Sequence, residues 1–152
     1  MPSVSWSDAV DEALCFGWID SVRRPLDGER YLQFFGRRKP NGTWSKVNKE
    51  KVVQLIASNQ MTPAGLASIE TAKKNGSWTI LDEVEELIIP LDLERAFDEY
   101  SGSQAFFLGL SKSVRKVMLS WLVMAKLPET RQKRIREIAE CAGQLQRPKQ
   151  FR

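Results

Sequence analysis

The sequence predicts a mainly helical α+β protein, in which a helix, a β-hairpin and two helices are followed by a C-terminal helical subdomain. Three observations predict it. β-branched and aromatic residues gather over 18–22 and 31–35 on either side of Pro25-Leu26-Asp27-Gly28, where proline fixes φ and Asp-Gly supports a tight reversal. Through most of the remaining chain, apolar residues recur three and four positions apart, the spacing of a helix face. An acidic stretch ending at Pro90 separates two such regions, dividing the chain into an N-terminal part, 1–78, and a C-terminal part, 79–152. With 152 residues, 42% of them apolar, there is material for one compact core or two small packed subdomains.

The elements follow in order. A first helix is expected from Ser5 or Ser7 to Phe16, with Ala9, Val10, Ala13 and Leu14 inward, acidic residues in its first turns and Gly17 ending it. The hairpin strands are Trp18 to Val22 and Tyr31 to Phe35, and Arg37 to Gly42 is a loop containing Pro40-Asn41-Gly42. A second helix, Ser45 to Ser58, turns Val52, Leu55 and Ile56 to the core. Thr62-Pro63 marks the start of a third, because threonine caps and proline at the first helical position loses no needed N–H; Leu66, Ile69 and Ala72 face inward and Asn75-Gly76 ends it. Residues 79–89 read as a short helix or linker, and Leu91 to Tyr100 as another helix. Val114, Val117, Met118, Trp121, Leu122 and Ala125 trace a face opened by Ser111 or Ser113, and Pro128 opens a last helix with Ile135, Ile138, Ala139 and Ala142 inside. Residues 146–152 are expected to fray.

The net charge of +4 hides segregation: Asp20 to Lys51 holds nine Lys/Arg against four acids, net +5, Thr79 to Tyr100 one against eight, net −7, and Gly109 to Arg152 eleven against three, net +8. Two readings fit this pattern: solvated faces that attract one another, or a basic block that meets an anionic partner. The longest apolar runs fall far short of a membrane span, and the opening MPSVSWSDAVDE lacks a basic segment followed by an apolar one. Cys15 and Cys141 stand far apart with no export signal, so reduced thiols in a cytoplasmic protein are expected.

Histidine is absent, which removes the commonest general base, the Ser-His and Cys-His nucleophile pairs and most zinc sites. The glycines form neither a dinucleotide fingerprint nor a phosphate loop. No catalytic residue, cofactor or metal site is expected, and the acids 82, 83, 85 and 86 read as a solvated face. What remains is the tract from Phe16 to Asn48, rich in rings and guanidinium groups, which supply contact energy without proton transfer. Its candidate binding surface is Trp18, Asp20, Arg23, Arg24, Tyr31, Arg37, Arg38, Trp44 and Lys46, with the arginines turned to a partner and Phe16 and Phe34 assigned to the core. Trp44 fits either recognition or packing of the loop onto the next helix, and Asp20 either a structural ion pair or a functional carboxylate. A separate candidate is the start of the last helix, where Arg131, Lys133, Arg134 and Arg136 follow a short turn in the manner of a nucleic-acid-reading helix.

The segments EALCFGWIDS, LDGERYLQFFGRR, WSKVNKEKV and MTPAGLASIETAKKNGSW, with the run AFFLGLSKSVRKVMLSWLVMAKLPETRQKRI, resemble the bacterial YdeI/OmpD-associated, or bacteriocin-protection, family from Ser5 to about Ala142. Members of that family carry a further segment ahead of the first matched helix, so an exposed patch is expected where it would pack. The resemblance implies association with bacteriocin or envelope-stress protection and no particular reaction. The expectation is a non-enzymatic cytoplasmic binding or adaptor protein for a protein or another anionic partner, the alternative being a nucleic-acid binder that uses the basic C-terminal helix.

Overall fold

The structure, a computed structural model, describes residues 3–152; Met1 and Pro2, the start of the stretch read for a leader, lie outside the described residues. The chain divides into two compact units, Met1–Ile80 and Leu81–Arg152, each with its own apolar core. No helix among the described residues is long and apolar enough to cross a membrane.

In the first unit, α1 (Trp6–Cys15) starts at Ser5, whose hydroxyl accepts the Asp8 N–H, and buries Val10, Leu14 and Cys15. Gly17, at φ +75°, turns the chain into β1 (Trp18–Pro25), which pairs antiparallel with β2 (Tyr31–Arg37) in the register Trp18 to Arg37 through Pro25 to Tyr31. Both strands run longer than the sequence suggests, because Pro25 sits at an edge where no N–H is needed. The pairing shifts between Asp20 and Arg23, so that Ser21 and Val22 stand against Phe34 alone, a bulge that bends the ribbon. At the tip, the Asp27 carboxylate accepts the N–H groups of Glu29 and Arg30 at 3.0 and 2.8 Å, closing the reversal.

The helix α2 (Lys46–Ala57) is capped by Ser45, and α3 (Pro63–Asn75) by Thr62, with Gly76 in the left-handed conformation ending the latter. Val10, Leu14, Cys15, Trp44, Val52, Leu55, Ile69 and Ala72 make the core, with Phe35, Met61 and Trp78 against it. Ile56 and Leu66, expected inside, are exposed, since each helix is covered along one narrow stripe only. Phe34, also assigned to the core, is 46% exposed, because a two-stranded ribbon has no layer behind it along most of its length; Phe16, assigned there too, caps the end of α1 and is 49% exposed.

The ends of α1 and α3 meet at one atom. The Cys15 carbonyl accepts both the Thr62 hydroxyl, at 2.5 Å, and the Thr62 N–H, at 3.1 Å, and a Cβ at Gly65 would collide with that same oxygen.

The second unit is helical: α4 (Asp82–Glu85), α5 (Leu91–Asp98), α6 (Ser103–Gly109), α7 (Lys112–Val123) and α8 (Pro128–Gly143), closed by a 3₁₀ turn over Lys149–Phe151. The sequence reading assigns nothing to α6, whose seven residues between Gly102 and Leu110 are too few to show a period. It is held by Phe107, which is buried 5.4 Å from the Phe97 ring, and by the buried Ser103 hydroxyl, which donates to the Phe97 carbonyl at 3.0 Å. Ile135, Ile138, Ala139 and Ala142 of α8 lie in the core as their spacing requires. On α7 the buried residues are Met118, Leu119 and Leu122, while Val117 stands outside. The tail does not fray: Pro148 is buried, and Phe151 meets Trp121 edge-on at 5.4 Å.

Gly65→Ala is expected to lower the stability of the first unit by about 1–3 kcal/mol or more, since the added methyl group forces two backbones apart. Urea unfolding followed by tryptophan emission checks it, and a midpoint unchanged from that of the parent protein would refute the close approach.

Candidate functional site

Antiparallel pairing sorts the ribbon into two faces. One carries Trp18 opposite Arg37, Asp20 opposite Phe35, Arg23 opposite Gln33 and Pro25 opposite Tyr31; the other carries Ile19 opposite Gly36 and Arg24 opposite Leu32, with Phe34 beyond. Diagonal neighbours on a face are within reach of long side chains. The Arg23 guanidinium accordingly stacks 3.5 Å from the Tyr31 ring centroid, and that of Arg24 lies 5.6 Å from Phe34. At exposed sites such contacts contribute about 0.5–1 kcal/mol each, enough to orient the arginines without burying them. Trp18, Val22, Leu32 and Phe34 add exposed apolar area, and Arg37 is exposed with no partner among the described residues.

Arg38 turns the other way. Its backbone N–H donates to the Gly17 carbonyl, its guanidinium lies 3.5 Å over the Trp44 ring, and Nη1 donates to the Thr43 carbonyl at 3.1 Å. Nε and Nη2 are buried without an acceptor among the described residues. Burial pulls the Arg38 pKa down to about 10, with the Asp20 carboxylate acting against it. Trp44 is buried and packs 5.0 Å from Trp78, so of its two readings the structure supports packing. Asp20 accepts from the Trp6 indole N–H at 3.3 Å at the root of the ribbon.

The structure therefore brings Trp18, Arg23, Arg24, Tyr31 and Arg37 onto one exposed ribbon. Arg38 and Trp44 belong to its anchorage, and Lys46 stands apart as the first residue of α2. Val22, Leu32 and Phe34 are surface residues that sequence reasoning missed; the available signal was that a hairpin with no third strand leaves a face uncovered.

On α8 the basic residues divide. Arg131 grips Asp92 through Nε and Nη2 at 2.7 and 3.0 Å, and Arg134 donates to the Trp121 carbonyl at 2.5 Å while lying 4.9 Å from that ring. Lys133 and Arg136 remain exposed. The hydrogen bond from Arg131 holds the Asp92 carboxyl below its usual range. Both cysteines are free thiols pushed upward by burial, with Glu12 and Asp11 adding to the shift at Cys15.

Two family models match the chain. Residues 1–68 match one described as Domain of unknown function (DUF8412), and residues 86–144 one described as Bacteriocin-protection, YdeI or OmpD-Associated. The resemblance to the YdeI/OmpD-associated family thus holds in the second unit; the segments of the ribbon and of α2, quoted above for the same family, fall under the other model. Each unit, with its own core, carries its own match. No curated protein and no solved structure matches.

The two neighbouring arginines should respond differently to alanine. Arg38→Ala loses the stacked guanidinium and the Thr43 bond and should cost about 1–2 kcal/mol, whereas Arg37→Ala should stay within about 0.5 kcal/mol of the parent. Thermal melts of the two variants check this, and equal melts would return Arg38 to the surface. Because the Asp92 pKa is lowered by folding, its contribution is present above the ordinary carboxylate range and is lost as pH falls through the folded value. Asp92→Asn should therefore cost no more than about 1 kcal/mol at neutral pH, the pair being partly exposed, and the two proteins should converge in stability as pH falls below the ordinary carboxylate range. A gap between them that does not narrow as pH falls below the ordinary carboxylate range would contradict the pairing.

Proposed function

We propose, from the match of residues 86–144 to the bacteriocin-protection family, that this chain is a non-enzymatic binding or adaptor protein of the bacterial cytoplasm acting in bacteriocin or envelope-stress protection. The observation that best supports a binding role is the exposed ribbon of the first unit, where Arg23 and Arg24 are oriented by Tyr31 and Phe34 and Arg37 stands beside Trp18. Rings with guanidinium groups laid across them combine apolar area with a fixed positive charge, a surface suited to an acidic protein patch. The absence of histidine from the whole sequence supports the non-enzymatic reading.

A nucleic-acid partner on α8 is the second reading. Arg131 and Arg134 are engaged within the unit, leaving Lys133 and Arg136. Two phosphate contacts give a salt slope no steeper than about −2, which is weak for a dedicated binder, so the ribbon takes precedence.

The triple variant Arg23→Ala/Arg24→Ala/Arg37→Ala should keep the parent melting temperature and lose a partner that the parent retains in a cross-linked pull-down identified by mass spectrometry. Retention of the same partner by the variant would remove the ribbon from the reading. Labelled duplex and single strands at low salt test the alternative through anisotropy.

A further inference from the structure

A second surface of the first unit lies between α1 and the root of the ribbon. It is an open groove of about 740 Å³, floored by Ala9 and Ala13 of α1 and walled by Phe16, Trp18 and Phe35, with Asp8 and Glu12 on its lip. Phe16 and Trp18 are 49% and 39% exposed, an amount of ring surface for which the unit has no internal use. Ala9 and Ala13, expected inward, are half-buried; four residues apart, they lie one above the other on the side of α1 that lines the groove, where their small side chains let another backbone come close.

The charges on this groove say what would fill it. Asp8 and Glu12, also four apart, stand about 6 Å from each other along the helix. Among the described residues, the Asp8 carboxylate accepts the Ser5 hydroxyl at 2.7 Å and neither it nor Glu12 forms an ion pair. Their neighbour Asp11, by contrast, meets Lys51 at 2.6 Å. Among the described residues, the groove thus carries two carboxylates on its lip and no cation in its lining, in a chain whose net charge is +4. We infer that it is a docking site for an amphipathic helix of a partner protein, one that lays an apolar stripe over Ala9, Ala13, Phe16 and Trp18 and sets lysines or arginines one turn apart against Asp8 and Glu12. The groove adjoins the arginine ribbon at Trp18, which both surfaces share, and selects the opposite charge.

The test uses the full chain and two synthetic helical peptides of about fourteen residues, four turns, sharing one leucine stripe; one carries lysines along its flank and the other glutamines. Titration followed by tryptophan emission should show the lysine peptide binding more tightly, although the protein as a whole repels it. Asp8→Asn/Glu12→Gln should weaken the lysine peptide about five- to tenfold and abolish the difference between the two, as two partly exposed charge pairs warrant. Ala13→Trp should block both peptides, while Arg23→Ala/Arg24→Ala/Arg37→Ala, which removes repelling charge, should keep the lysine peptide the tighter of the two. Equal affinities for the two peptides, or binding insensitive to Ala13→Trp, would overturn the proposal. So would a dimer in sedimentation that dissociates with Ala13→Trp, since a second copy would then be the occupant.

Discussion

The Cys15 carbonyl is the point on which the first unit turns. A helix leaves its last carbonyls without internal partners, and a helix start leaves its first N–H groups in the same position. Here the two deficits are brought close: Thr62, which caps α3, gives both its hydroxyl and its N–H to the end of α1. That contact requires the backbones to approach more closely than any side chain at position 65 permits, and it leaves Gly17, at φ +75°, to redirect the chain immediately afterwards. Where the ribbon points is thereby decided before its first residue, and the Arg38 N–H, donating to the Gly17 carbonyl, ties the returning strand to the same corner.

A two-stranded sheet alone in water is marginal at best, and this one projects rings and charges rather than burying them. Its support is concentrated at the root. Arg38 lies flat on Trp44, which is itself held by Trp78, so the loop after β2 is fastened to the core by stacked planes. Two guanidinium nitrogens are left buried without acceptors, a cost that marks the site as one where packing outweighs solvation. Further out, Arg23 on Tyr31 and the Asp27 turn stabilise the ribbon from within, and these exposed contacts are the same ones that order its binding surface.

Much of this architecture is legible in residue order, for reasons of locality. Ser5, Ser45, Thr62 and Ser111 cap helices because their chemistry acts over three residues, and the α8 stripe is readable because sixteen residues give its period room to show. What stayed hidden depends on contacts distant in sequence. Nothing local distinguishes Arg37, which faces solvent, from Arg38, which finds Trp44; strand alternation predicts opposite faces but not which face is covered. Phe34 and Phe16 look like core residues by type and stand outside, Phe34 because the ribbon has no further layer over it. The α6 helix and the docked tail are held by Phe97 and Trp121, partners that a window along the chain does not contain.

Contacts distant in sequence also change the meaning of the charge blocks. Summed along the sequence, the last 44 residues are strongly basic and invite an anionic partner. In the fold, Arg131 and Arg134 act as clamps, one closing α8 onto α5 through Asp92, the other joining α8 to the end of α7 through a backbone carbonyl and a ring. Guanidinium is suited to this because its planar fork satisfies several acceptors at once, so helices can be fastened without burying a lone charge. On the basic ribbon, by contrast, Arg23, Arg24 and Arg37 form no ion pair among the described residues and two of them lie on rings, which leaves their charge available. It is the partner each arginine already has, not the number of arginines, that separates a surface built for recognition from one built for cohesion.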